Sequence, residues 1–190
     1  PIIAVAALEE GVIGLNDTVN CTGIYKEISP ALRCWIYPGQ HGPLDVVHGI
    51  QNSCNVFFSE MGHRLSMDEN GNYSPELGIE KIRKYASLFG LDETSGIEIA
   101  EREPQMTTEK PEASSIGQGK NSYSNVQLSR YITAVANKGT VFKLSLLDKM
   151  TDSQGNLLED FTPEVRSVID VKDSTWNAVH TGMRRVISDG

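Results

Sequence analysis

Ser53-Cys54-Asn55 places a hydroxyl and a carboxamide two residues apart, and of all the side chains in this sequence these two best suit proton relay and amide recognition. A serine hydroxyl donates and accepts a hydrogen bond at once, and an asparagine amide offers two donors and an acceptor. Held rigidly at a helix N-terminus, the pair could pass a proton and grip a substrate amide. Taken alone, the triplet is equally an N-cap serine with a polar neighbour. Its setting raises it, because it falls at a junction inside an apolar helical pair whose packed face would lock both side chains.

The other candidates are weaker. Gly117-Gln118-Gly119-Lys120 suggests a phosphate loop. Ser114 stands where that loop needs its first glycine, and Asn121 where it needs Ser or Thr. Glu9-Glu10 and Glu101-Arg102-Glu103 read as solvated charge rather than a paired acid and base. Cys34, His41 and His48 have the residue types of a metal site but no zinc-like spacing, so no metal and no cofactor are expected. Of the three cysteines, Cys21, Cys34 and Cys54, one or two read most simply as buried thiols. A Cys21–Cys34 disulfide stays open if the compartment is oxidising.

Whatever the chemistry, it sits in an ordinary soluble composition: 190 residues, 39% hydrophobic and 22% charged. With 17 basic and 25 acidic residues the net charge is −8, which argues against nucleic acid or a polybasic membrane patch as partner. The apolar run Pro1 to Leu8 is far too short to span a bilayer.

The elements that must position the pair can be read from hydrophobic period and punctuation. Residues 1–10 form an apolar helix ended by Gly11 and Gly14. Thr18-Val19, Ile24-Tyr25 and Trp35-Ile36-Tyr37 are candidate short strands. From Leu44 to Leu65 apolar residues recur at three- and four-residue steps, predicting one helix or two stacked ones, with Ser53 as the N-cap of the second. A polar loop over 66–75 leads to a helix from Glu76 to Phe89, with Gly90 as its C-cap. Residues 91–115 read as a long connection with a short strand at Ile97-Glu98-Ile99. Ser124 to Gln127 is a capping box opening a helix that ends at Gly139. Residues 141–159 predict a hairpin turning at Asp152-Ser153-Gln154-Gly155, and a last helix starts near Ser174. No repeat and no flexible linker interrupts the chain.

In order along its whole length the chain resembles the transpeptidase domain of class B penicillin-binding proteins, of the elongation and spore-cortex type. Ala4-Val-Ala-Ala-Leu-Glu-Glu-Gly-Val-Ile13 is similar to the helix directly after the family's nucleophile motif, Ser-x-x-Lys. Cys21-Thr-Gly23, Cys34-Trp35 and His41-Gly42 resemble the segment before its second motif. Gly49-Ile-Gln-Asn-Ser-Cys-Asn-Val-Phe-Phe58 resembles that Ser-x-Asn motif with its flanks. Ser115-Ile-Gly-Gln-Gly119, Gln127-Leu128 and Ala136-Asn-Lys-Gly139 resemble the stretch C-terminal to that second motif.

The departures are as informative. No lysine has a serine three residues before it, so Ser-x-x-Lys is absent. Lys138-Gly139-Thr140 has the letters of the third motif in the wrong order, and His180-Thr181-Gly182 mimics a variant of it inside a helical pattern. Tyr123-Ser124-Asn125 mimics the Tyr-x-Asn form, but Ser124 is better used as a cap. The expectation is therefore that residues 1–190 are the central segment of a single transpeptidase domain, a fragment inactive alone.

The resemblance implies a mainly α fold with short β hairpins, mostly the helical lobe of the α/β, β-lactamase-like transpeptidase fold. It implies serine acyl-enzyme cross-linking of peptidoglycan stem peptides ending in D-Ala–D-Ala, trapping by β-lactams, and cell-wall synthesis proteins as partners. It places a membrane-anchored parent on the outer face of the cell membrane, with the fragment itself soluble. In that scheme Ser53 helps pass the proton, Asn55 holds the lysine and the substrate carbonyl, and Cys54 points into the packing. A β-lactam sensor or β-lactamase relative, and a non-enzymatic helical partner-binding module, are the alternatives.

Overall fold

The computed structural model describes residues 1–189, which gather into two compact units. The first comprises Pro1–Ala86, Met106–Asn121 and the chain from Val171 onward. The second comprises Ser87–Gln105 and Ser122–Asp170.

The first unit is built around a helix whose surroundings are apolar on all sides. α1 (Ile2–Glu9) buries Ala4 to Leu8 without a gap, as expected of a helix with no polar face. It packs on α3 (Asn55–Leu65) and α7 (Asp173–Ser188). Gly11, at φ +69°, ends it in the left-handed conformation that glycine adopts without a Cβ penalty. Two strand pairs come next: β1 (Val19–Cys21) runs antiparallel to β4 (Gly42–Leu44), and β2 (Ile24–Tyr25) to β3 (Leu32–Arg33). The expected strand at Trp35-Ile36-Tyr37 is instead a turn. Tyr37 N donates to Cys34 O (3.1 Å) and Gly39 N to Ile36 O (2.8 Å), and these local bonds replace a ladder partner.

The apolar period from Leu44 to Leu65 resolves into two helices, α2 (Val46–Gln51) and α3. Asp45 caps α2 by accepting from His48 N (2.9 Å). Cys54, not Ser53, caps α3: its sulfur accepts from Phe57 N at 3.4 Å. A Cβ at Gly49 would lie 2.7 Å from the Phe57 ring, so the bare glycine is what lets α2 and α3 close on each other. α3 also touches β1, β2, β3 and α5 (Pro111–Ser114), a short helix without a sequence signal of its own. α4 (Pro75–Leu88) turns Ile79, Ile82, Tyr85 and Ala86 inward, and Gly90 stands just beyond it at φ +74°.

In the second unit the expected capping box is present. Ser124 Oγ accepts from Gln127 N (3.2 Å) and Gln127 Oε1 from Ser124 N (2.8 Å), opening α6 (Asn125–Ala136). β5 (Thr140–Lys143) pairs antiparallel with β8 (Glu164–Val168), and β6 (Lys149–Thr151) with β7 (Leu157–Asp160). The hairpin turn at residues 152–155 is therefore where the sequence puts it, but the strand starting near residue 141 takes a partner the sequence did not reveal. Ile97-Glu98-Ile99 is not a strand. Its neighbourhood folds around the Glu101 carboxylate, which accepts from Ser95 N, Ser95 Oγ and Ser124 Oγ, each at 2.7 Å. The Arg130 guanidinium is buried nearby and donates to the carbonyls of Gly90, Glu93 and Thr94. No helix among the described residues is long and apolar enough to cross a membrane.

Candidate functional site

The turn between α2 and α3 has one purpose-built feature. Ser53 N donates to Ile50 O (3.0 Å) and Cys54 N to Gly49 O (3.1 Å), which closes α2 tightly. To make that closure Ser53 takes φ +46°, a left-handed conformation that costs a residue with a Cβ about 1–2 kcal/mol. The result is an exposed Ser53 whose hydroxyl has no hydrogen bond among the described residues, and a Cys54 that is fully buried. Asn55, one residue on, opens α3 half-buried, and its Nδ2 donates to Arg33 O at 3.1 Å. That bond uses one of the two amide hydrogens and leaves the carbonyl oxygen available.

Asn55 lines a cavity of about 730 Å³ with Arg33, Tyr73, Glu76, Lys110 and Gln118. Ser53 stands outside that lining. Two lining residues, Tyr73 and Glu112, belong to a cluster that the sequence did not signal. Glu112 is 2% exposed, accepts from Tyr73 OH (2.9 Å) and faces His63 Nδ1 (3.3 Å), while the His63 and Tyr73 rings stack at 4.9 Å. Burial, and after it the Glu112 carboxylate, pushes the Tyr73 phenol up to about 12, so it stays a donor at neutral pH. Glu112 has no periodic or motif context, and only the fold brings it to Tyr73.

The buried side of the same turn holds a second constellation. Cys21 at the end of β1, Cys34 after β3, His41 before β4 and Cys54 at the α3 cap present four ligand atoms all within 4.8 Å of one another. All three cysteines are free thiols, so Cys21 and Cys34 are not bridged. Burial raises the Cys34 thiol, but the backbone N–H groups of Ile36, Asn55 and Val56 outweigh it and hold that thiol below its usual value. Burial pushes the Cys54 thiol up and the His41 imidazole down. Where the sequence suggested His48 beside Cys34 and His41, the structure substitutes Cys21 and Cys54. The His48 ring is held by Asp45 (2.8 Å) and Arg185 (2.9 Å) instead. The expectation of no metal ligands thus meets a Cys₃His group, one that linear spacing could not reveal because its members come from four segments.

The third-motif look-alikes resolve as structural. Lys138 (φ +60°) and Gly139 (φ +104°) close α6, and His180 to Gly182 lies within α7.

The family described as "Penicillin binding protein transpeptidase domain" matches residues 1–190. Penicillin-binding protein 2A of Bacillus subtilis (strain 168) is 26% identical over 204 residues, covering 96% of this chain and 27% of that protein. Peptidoglycan D,D-transpeptidase MrdA of Escherichia coli (strain K12) is 26% identical over 200 residues, covering 96% of this chain and 29% of that protein. The chain therefore spans less than a third of the length of these curated relatives. Among solved structures, penicillin-binding protein 2B of Streptococcus pneumoniae (strain R6) superposes with a TM-score of 0.80 at 20% identity, over 100% of this chain and 33% of that one. That likeness carries the fold: helices with short antiparallel strand pairs, the helical part of the transpeptidase architecture.

Proposed function

The chain belongs to the penicillin-binding-protein transpeptidase family, and from that premise we propose that it is the segment of a peptidoglycan D,D-transpeptidase domain that supplies the Ser-x-Asn motif as Ser53 and Asn55. The reaction of the protein that carries it is serine acyl transfer. A serine activated by a lysine attacks the D-Ala–D-Ala carbonyl of a stem peptide, D-alanine leaves, and an amine of a second stem peptide resolves the acyl-enzyme; β-lactams acylate the same serine. The 190 residues contain no Ser-x-x-Lys, so alone they are expected to form no acyl adduct.

The observation that carries this reading is the left-handed Ser53. A backbone strained at one exposed residue, with Cys54 locked inward, leaves the Ser53 hydroxyl unbonded two residues from a carboxamide that lines a cavity. A hydroxyl so placed can accept the nucleophile's proton through the lysine and return one to the leaving amine. The Asn55 oxygen suits the lysine ammonium and its remaining N–H the substrate's peptide carbonyl. Cell-wall synthesis proteins as partners and a site of action on the outer face of the membrane belong to the same reading.

In the protein that carries this segment, Ser53→Ala is expected to slow acylation by a fluorescent penicillin about 10²–10⁴-fold. Asn55→Ala is expected to slow it about 10²–10³-fold. Acylation at the unaltered rate in both variants would overturn the assignment.

A further inference from the structure

We propose that the cavity lined by Asn55 is the pocket for the acyl acceptor, and that it takes a side-chain amine whose own carbon also bears a carboxylate. The inference rests on the acyl-transfer reading and extends it from the donor to the group that resolves the acyl-enzyme. Docked as an ammonium, the nitrogen gives one proton to solvent. Its lone pair then forms the C–N bond, the ester C–O bond breaks with its electron pair on the serine oxygen, and the nitrogen's second proton ends on that oxygen.

Glu112 is the anchor. It is 2% exposed, yet it lines the cavity. Its Oε1 accepts from Tyr73 OH at 2.9 Å and faces His63 Nδ1 at 3.3 Å. Its Oε2 accepts from no described residue and is not sealed from solvent, so it opens on the cavity. An ionised carboxylate accepts on both oxygens, and a buried one is costly until it is fully paired. The short helix that carries it has no room to shift inward: a Cβ at Gly62 would lie 2.5 Å from Pro111 O, so α5 rests directly on α3. The partner that Oε2 lacks is a compact cation with N–H donors, and an ammonium is such a group.

The rest of the lining asks for the opposite charge as well. Glu76 accepts from Ser74 Oγ (3.1 Å) and Glu109 pairs with Lys120 (3.5 Å), so both of these acids are engaged. Arg33 and Lys110 meet no carboxylate among the described residues, and the Arg33 guanidinium lies over the Tyr37 ring at 4.7 Å. A plain amine would leave both cations unmatched, and a plain carboxylate would face Glu112. A carbon bearing both groups answers both, and Leu32, Ile79 and Ile116 offer an apolar wall to the methylenes behind it. The cavity's volume, about 730 Å³, lies in the range of small-ligand pockets. Asn55 stands in the same lining, so an amine held there sits beside the residue proposed to grip the acyl donor. A purely structural Tyr73–Glu112–His63 cluster explains Oε1 but neither the open Oε2 nor the two unmatched cations.

The test uses the protein that carries this segment and two acceptors that differ in one group, Nα-acetyl-lysinamide and its 6-carboxy derivative. With a thioester analogue of the D-Ala–D-Ala donor, the ratio of aminolysis to hydrolysis is read for each. The carboxylated acceptor is expected to be favoured about 10-fold or more, the worth of a charge-assisted hydrogen bond. Glu112→Gln is expected to lower the ratio about 10-fold for both acceptors. Arg33→Gln combined with Lys110→Gln is expected to abolish the preference between them, a change in selectivity that lost packing would not produce. Should Glu112→Gln fail to fold, the variants at the exposed Arg33 and Lys110 decide. Calorimetric titration with the carboxylated acceptor and no donor keeps the two readings apart: binding that Glu112→Gln weakens about 10-fold supports the pocket whatever the acylation result. Equal use of the two acceptors by the unaltered protein, or no binding of the carboxylated one, overturns the inference and leaves the acylation tests of Ser53 and Asn55 standing.

Discussion

Gly49→Ala sets two effects of known size against each other. In a helix, alanine is favoured over glycine by about 1 kcal/mol. Against that, the new methyl would sit 2.7, 2.8 and 3.0 Å from three carbons of the Phe57 ring, where ordinary carbon contacts are about 3.5–4.0 Å. The ring is fully buried, so α2 and α3 must part by several tenths of an ångström, and such overpacking costs about 1–3 kcal/mol. The steric term wins, and the net loss is expected to be roughly 1 kcal/mol, up to about 2. Denaturant titration of the protein that carries the segment measures it as a fall in midpoint at unchanged slope. Phe57→Ala in the same background removes all three clashing carbons, so the double variant should recover at least about 1 kcal/mol relative to additivity. If Ser53 and Asn55 have the proposed roles, acylation should fall as well, because a misplacement of about 1 Å costs about 10²-fold in rate and this shift is a fraction of that. A Gly49→Ala variant as stable as the original, or an additive double variant, would refute the claim that this glycine sets the spacing of the two helices.

The second unit supplies two further tests. Burial raises the Glu101 carboxyl, but its bonds from Ser124 and Ser95 and the charge of Arg130 outweigh this and hold it below the usual range. A depressed carboxylate contributes stability above its unfolded value of about 4.3, and that stability is lost as pH falls through the folded one. Glu101→Gln should therefore destabilise at pH 7 and show less further loss below about pH 4 than the unaltered protein, read by titrations across pH. Arg130→Lys should cost about 2–3 kcal/mol by denaturant titration, because an ammonium cannot fork across the three carbonyls that the guanidinium satisfies; a loss under about 0.5 kcal/mol would show those bonds to be dispensable.

The elements legible in the sequence were those with a local cause. The apolar run of α1, the capping box at Ser124, glycine ends at Gly90 and Gly139, and the turn at residues 152–155 all appear where period and punctuation put them. What failed was non-local. Trp35-Ile36-Tyr37 has β-forming residues but no partner strand, and Ile97-Glu98-Ile99 yields to a carboxylate that gathers the loop. At the site, residue types located Ser53 and Asn55, but the N-cap passed from Ser53 to Cys54 because the turn needs a left-handed residue just before the helix. Glu112, His63 and Tyr73 meet across separations of 39 and 49 residues, and the three cysteines and His41 across 33. No periodicity encodes such meetings.

The left-handed serine has an evolutionary consequence. At position 53 the backbone would rather have glycine or asparagine, the residues that enter that conformation most readily, while the proposed chemistry requires a hydroxyl. From the two serine codons that begin with AG, both replacements are one nucleotide away. A lineage released from selection for acyl transfer would therefore meet a short, stabilising path out of activity. In such a lineage a silenced copy should be the sturdier protein, and strain at residue 53 marks a copy still under selection for its reaction.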